Sequence, residues 1–239
     1  MNLKPKSNAF QINAIQSIII TRAYQGWTSK ELAKLLSGFS DQFDAPPTIL
    51  PLPTEAPAEL PRVILRSSDL HWIAEMAASR VTFRWIKMKE TSQLGIPDFE
   101  ARYLSFFDKF LAIQPIQVSR LAFAITRHSA VQDPAELLMG MLHQEELLRK
   151  IPNPENFELH IHQIKKLAET FTVNEWTRFK SGQLSIPDTP VRRAALAEHD
   201  VNTVDDPASD VTFTMADIKR FMFAAAVEIE NTLGLLCEE

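Results

Sequence analysis

The sequence predicts an α+β fold in which a β-α-β-β-β-α unit occurs twice and builds one curved antiparallel sheet covered by helices. Three observations predict it. Runs of β-branched and aromatic residues with two-residue alternation are interspersed with segments of helical spacing. They come in the same order (strand, helix, three strands, helix) in residues 1–115 and again in residues 116–239. Two short segments also recur: residues 91–98 (TSQLGIPD) resemble 181–188 (SGQLSIPD), an offset of 90, and 19–22 (IITR) resemble 124–127 (AITR), an offset of 105. A proline-rich loop in the first half accounts for the difference between the two offsets. Antiparallel strands with one apolar face need a cover, and each half supplies helices for it. The TATA-binding and helix-grip architectures share this general order; a fold analogy carries no function.

In the first half, Ile15, Ile18, Ile19, Ile20 and Thr21 make residues 14–24 a strand. Thr28 or Ser29 caps a helix carrying Leu32, Leu35, Leu36 and Phe39 at helical spacing. Residues 62–66, 70–76 and 80–88 are three short strands. In the third, Val81, Phe83 and Trp85 share one face, while Arg80, Thr82, Arg84 and Ile86 share the other. Asp98 opens a helix that puts Phe99, Tyr103, Phe106, Phe110 and Ile113 on one stripe, a core face or, failing that, a dimer interface. In the second half, residues 118–128 form a strand, and Asp133-Pro134 starts a helix with Leu137, Leu138, Met141 and Leu142. Residues 157–167, 171–179 and 193–201 are the next strands. Thr214 caps the last helix, with Ile218, Phe221, Met222, Ala225, Ile229, Leu233 and Leu236 facing inward.

Residues 45–61 hold Pro46, Pro47, Pro51, Pro53, Pro57 and Pro61. Proline fixes φ and removes an amide donor, which excludes a helix or a central strand here. The segment is a semi-rigid surface loop, or alternatively a docking arm for a partner, since a stiff extended segment loses little entropy on binding.

Composition narrows the function classes. With 239 residues, 45% hydrophobic and 23% charged, the chain can bury a sizeable core. Its 25 Lys and Arg against 30 Asp and Glu, a net charge of −5, oppose a general duplex-DNA or anionic-membrane surface but leave room for a local basic groove. The scattered glycines exclude a Walker loop and a dinucleotide fingerprint, both of which need clustered glycines. The single cysteine, Cys237, excludes an internal disulfide and suits a reducing compartment. The first residues lack the apolar run of a secretory signal. The longest apolar run, 221–227, is far short of the roughly 20 residues needed to span a bilayer. The expected location is the cytoplasm, with no membrane partner.

One stretch, 61–72 (PRVILRSSDLHW), is followed by an aromatic strand and an aromatic helix. The chain ends on a strand closing at His199-Asp200-Val201, an acidic loop and a long helix over 215–236. Together these resemble a sporadically distributed bacterial family of uncharacterised proteins of similar length, over most of the chain. Where that family has a Leu-His pair midway along the final helix, this chain has Phe223-Ala224. The resemblance carries over no catalytic residues. A scattered distribution implies mobile genes and a bacterial defence or toxin–antitoxin neighbourhood.

Several constellations can carry chemistry. Glu158, His160 and His162 share one strand face, the donor set of a catalytic zinc or non-haem iron site, although the same segment is an ordinary amphipathic strand with a solvated face. His199-Asp200, with Asp205, Asp206 and Asp210, offers a general base or a divalent-cation site, or else capping carboxylates. Asp69 and His71 fall on one face, as a pair or as a turn residue and a surface histidine. Cys237 sits at a terminus poorly suited to holding a nucleophile. The densest basic run, Arg80, Arg84, Lys87 and Lys89, is followed by Lys165-Lys166 and Arg178-Lys180. With Phe83, Trp85, Trp176 and Phe179 it interleaves cations and rings as single-strand binders do, but alternation leaves only Lys87 on the face of Phe83 and Trp85.

No catalytic set is complete. The chain therefore reads as a non-enzymatic protein-binding or interaction protein, without a cofactor, whose partner is another protein or a second copy in a homodimer. Nucleic-acid binding across the curved sheet is the alternative, and a metal-dependent hydrolase at His160 and His162 the third reading.

Overall fold

The computed structural model describes residues 9–22, 28–53, 55–141, 150–151, 154–205 and 210–236. Its strands are β1 (Gln11–Thr21), β2 (Thr48–Ile49), β3 (Pro61–Arg66), β4 (Trp72–Ala77), β5 (Arg80–Ile86), β6 (Val118–Ala130), β7 (Glu158–Leu167), β8 (Phe171–Leu184) and β9 (Arg192–Thr203). The described helices are α1 (Ser29–Gly38), α2 (Ile96–Ile113), α3 (Pro134–Met141) and α4 (Met215–Leu236).

All nine strands join one antiparallel sheet in the order β2-β3-β4-β5-β1-β6-β9-β8-β7. The β-branched run of β1 lies at its centre, against β5 on one side and β6 on the other. The β1–β6 pair joins the two halves of the sequence into one sheet.

Alternation divides the side chains between two faces. Ile15, Ser17 and Ile19 of β1 sit opposite Trp85, Phe83 and Val81 of β5 and opposite Ile125, Phe123 and Leu121 of β6; all nine are buried. The same face takes Trp72, Ala74 and Met76 of β4, Val63 and Leu65 of β3, and Val173 and Val201 of β8 and β9. The buried side chains of α1, α2 and α4 pack on this face, and Leu138 and Met141 of α3 pack on Phe179, Ala195 and Ala197 at its far end. Among the described residues no helix lies on the opposite face. A short apolar cluster, Leu184, Ile186, Ala194 and Leu196, covers only the end of that face near the β8–β9 turn.

The helix boundaries follow local chemistry. Thr28 and Glu31 form a capping box at α1. Thr214 and Asp217 exchange the same bonds at the start of α4. The aromatic stripe of α2 is core: Phe99, Tyr103, Phe106, Phe107 and Phe110 are buried. Phe83 lies amid three rings from two elements, 4.9 Å from Phe106 and 5.6 Å from Phe99 of α2 and 5.5 Å from Trp72 of β4 between centroids.

Some expectations are corrected. The second strand of the 62–88 region begins at Trp72 rather than at residue 70, because Leu70 takes a left-handed backbone (φ 62°) in the Ser67–Asp69 turn. The 90-residue match lands on unlike elements: 91–98 lead into α2, whereas 181–188 cover the end of β8 and the turn towards β9. Thr82 lies on β5, beside β1, while Thr172 lies on β8, separated from β6 by β9. The 105-residue match does fall on the two central strands. Leu142 and the end of the first predicted strand lie outside the described residues.

Replacing Phe83 by Ala removes a ring that touches both α2 and β4. The expected loss is about 3–5 kcal/mol of stability, measured by denaturant unfolding. A similarly placed but peripheral change, Phe213→Ala, is expected to cost clearly less.

Candidate functional site

Among the described residues the helix-free face of the sheet is left without a covering layer over most of its strands. Reading across it through the register, one row holds Arg66, Ile73, Arg84, Gln16, Ala124, Asp200, Trp176 and His162. The row beside it holds Ile86, Ala14, Thr126, Glu198, Arg178 and His160. On the central strands β1 and β6 these two rows hold only Ala14, Gln16, Ala124 and Thr126. Arg66, Arg80, Arg84, Arg120, Lys166, Arg178 and Lys180 share this face with Glu75, Glu158, Glu198 and Asp200, so it is basic on balance in an acidic chain.

Its most specific feature is a stack on β7 and β8. The His162 ring lies 4.1 Å from that of Trp176 at 15°, with Nε2 3.2 Å from Asn174 Oδ1. The Arg178 guanidinium is 5.1 Å from the same indole. Lys180 donates to Glu198 at 2.6 Å, and Arg84 to Glu75 at 2.8 Å. Such partly exposed pairs are cheap to rearrange.

The residues singled out from sequence are distributed as follows. Glu158, His160 and His162 do share the open face, but His160 Nε2 binds Glu158 at 2.7 Å and His162 turns to Trp176. Among the described residues no three His, Cys, Asp or Glu side chains converge to hold a metal ion. Arg80, Arg84, Lys87 and Lys89 do not form one patch: Arg80 and Arg84 stand on the open face, Lys89 is exposed in the following loop, and Lys87 is buried and donates to Gln11 Oε1 at 2.9 Å. Burial holds the Lys87 ammonium below its ordinary pKa, Glu90 opposing. Phe83, Trp85 and Phe179 are core, whereas Trp176 is not.

The proline segment is fastened to the sheet. Ala45 N–H donates to Arg66 O at 3.1 Å, Leu50 N–H to Arg62 O at 2.8 Å, and Arg62 to Leu52 O at 3.2 Å. Between these ties Pro51, Pro53 and Pro57 are exposed, and Pro46 and Pro47 flank β2 at the sheet edge.

His199 and Asp200 part to opposite faces, and Asp205 pairs with Arg120 at 3.6 Å, so the described residues bring no carboxylate site together there. Cys237 and Asp206 lie outside the described residues. Asp69 is a turn residue: its carboxylate takes the Ser67 hydroxyl at 2.5 Å and the His71 backbone N–H at 3.1 Å. His71 is no surface histidine. Its ring is buried, stacked 5.7 Å from Trp85, with Nδ1 2.7 Å from Ile86 O and Nε2 3.0 Å from Ser92 Oγ. Nδ1 faces both an acceptor, Ile86 O, and a donor, the Met88 backbone N–H at 3.3 Å, and the Ser92 hydroxyl can serve either state of Nε2. The arrangement clamps the loop before α2.

Sequence reading missed a polar layer under α4. Lys165 reaches Glu175 and Glu228 at 2.5 Å each, and Glu175 also accepts from Gln163 at 2.7 Å and Thr232 at 3.2 Å. Burial disfavours the Lys165 charge, but the bonds from Glu175 and Glu228 outweigh it and raise the pKa above its ordinary value. Arg127, buried, pairs with Glu230. His199 lies among them with neither ring nitrogen bonded. A signal was available: Glu175 sits between Val173 and Thr177 on the core parity of β8, where a charge needs a buried partner.

Beside this layer a groove of about 890 Å³ runs between α4 and the start of α2, lined by Phe10, Ile12, Ile96, Phe223, Val227 and Leu233. Phe223 is 62% exposed there. Compared with protein-family models and with curated proteins, the chain matches none.

Burial depresses His128 and His199 to about 4, reinforced by Lys87 and Arg192 at the first and by Arg127 at the second. Both fold neutral, so the unfolded chain binds more protons between pH 6.5 and 4. Stability is full above about 6.5 and falls on the order of 3 kcal/mol per histidine as pH drops to about 4. His199→Leu removes an unbonded imidazole and is expected to raise the melting temperature at pH 7 and to flatten this slope. Unfolding titrations from pH 8 to 4 check both, and an unchanged slope refutes the assignment to His199.

Proposed function

We propose that the protein is a non-catalytic binding protein whose working surface is the helix-free sheet face, and that its ligand is single-stranded nucleic acid. The observation that carries this is the stack of a half-buried Trp176 with an exposed His162, flanked by Arg178 and Lys180 on a face that is basic on balance. An aromatic face stacks on a base of any identity, and neighbouring cations follow the phosphates. The small central side chains Ala14, Ala122 and Ala124 leave room for a backbone to lie across the strands. The −5 net charge fits a ligand bound along one surface rather than a duplex gripped from several sides.

The strand order supports an internal repetition, since β5-β4-β3 run outward from β1 as β9-β8-β7 run outward from β6. It is also what makes the TATA-binding architecture the natural analogy. A place in a bacterial defence or toxin–antitoxin module rests on the family resemblance alone, and gene neighbours test it.

A protein partner is the second reading, favoured by the apolar groove at Phe223 and Val227. The two readings separate by mutation. Labelled single-stranded RNA and DNA of mixed sequence, titrated at 50 and 200 mM salt, are expected to bind with a clear loss at the higher salt. Trp176→Ala is expected to weaken binding about tenfold, in line with the roughly 1–3 kcal/mol that base stacking contributes. Phe223→Ser is expected to leave it unchanged. No binding at low salt, or equal loss from Phe223→Ser, overturns the nucleic-acid reading.

A further inference from the structure

The sheet has two edges, and they are built differently. At one end β2 has only two residues and is flanked by Pro46, Pro47, Pro51 and Pro53, which have no N–H to offer a neighbouring strand. At the other end β7 runs for ten residues with one side paired to β8 and, among the described residues, no strand on the other side. It carries no proline, and its Ile161 and Ile164 are 44% and 62% exposed. A long, exposed edge strand with a row of unpaired N–H and C=O groups is a template for another strand.

We propose that β7 pairs antiparallel with β7 of a second copy of this chain, giving a twofold dimer with one continuous sheet. The charge pattern of β7 selects both the partner and the register. Residues opposite each other in an antiparallel pair share a face, so β7 can pair with itself only with even sums of residue numbers. With His162 opposite His162 of the second copy, Glu158 meets Lys166 twice, once at each end of the pair. His160 then lies beside Ile164, and Ile161 beside Gln163, which covers both exposed isoleucines. Shifted by one step, with Gln163 opposite Gln163, Lys166 meets His160 and Glu158 loses its basic partner. An acidic start and a basic end on one strand match the reversed strand of an identical chain, and every contact occurs twice. This inference goes beyond the nucleic-acid reading and stands without it, although such a pair would set two Trp176 stacks on one surface.

The test reads mass and register together. Sedimentation equilibrium of the 27.1 kDa chain is expected to show a concentration-dependent dimer. Glu158→Lys and Lys166→Glu are each expected to weaken it roughly tenfold, and the double exchange to restore it, because cross-strand charge pairs recover when both signs are swapped. In a Cys237→Ser background, His162→Cys is expected to crosslink between chains with a short bis-maleimide, and Thr172→Cys is not. Circular dichroism of each variant shows that the fold is kept. A wild-type monomer at all concentrations, a double exchange that fails to restore the dimer, or a crosslink no stronger at 162 than at 172 overturns the proposal.

Discussion

The rest of the structure depends on a single asymmetry: one face of the sheet carries every strand phenylalanine together with Trp72 and Trp85, and every described helix goes there. Phe83 is the focus. Its ring touches Trp72 on the neighbouring strand and Phe99, Tyr103 and Phe106 on α2, while Phe43 closes the side nearest α1. Large rings bury much area for little side-chain entropy, so this layer outweighs the other packing choices in the first half. Once α2 is committed to that face, α4 follows, since its Phe221, Met222 and Ile229 join the same cluster. The opposite face is left to solvent by default, and its chemistry is free to serve a ligand.

The second half solves the same covering problem with different chemistry. Few aromatics lie under the distal part of α4; Lys165, Glu175, Glu228, Arg127 and Glu230 meet there instead. Buried charges add little net stability compared with apolar packing, but each is costly to leave alone. The layer therefore acts mainly to fix how α4 sits: a slide of one turn would strand Glu175 and Arg127 together. His199, enclosed beside them without a bond, survives because the imidazole stays neutral there.

Much of this was legible in the sequence, and the parts that were not share a cause. Alternation along 80–86 assigns Phe83 and Trp85 to the core and Arg84 to the open face, the α2 stripe and the Thr214 cap are as expected, and of the two candidate caps for α1 the structure uses Thr28. These are local signals with periods of two or 3.6 residues. Pairing order is not local. Nothing in 11–21 or 118–130 says that they are neighbours, and a short match such as 91–98 with 181–188 arises without equivalent places in the fold. A side chain that departs from strand parity escaped too: His71 is turned inward by Ile86 O and Ser92. The parity of β8, by contrast, had already placed Trp176 with Arg178 and away from Phe179, a distinction that grouping aromatics by proximity in sequence conceals.

The two faces also set what the edges can do. A sheet covered on one side only cannot hide an edge strand behind a second layer, so each edge must be blunted or used. Prolines blunt the β2 end, where Leu50 and Arg62 still tie the loop to β3. On β7 the protective charge is confined to the ends, with Glu158 at the start and Lys165 and Lys166 at the finish, while the middle presents Ile161, His162 and Ile164. Lys165 is moreover drawn inward by Glu175 and Glu228 and no longer guards the edge. The ion network that seats α4 thus removes one of the two lysines that would repel a partner strand. What holds the last helix and what exposes the last strand are the same contact.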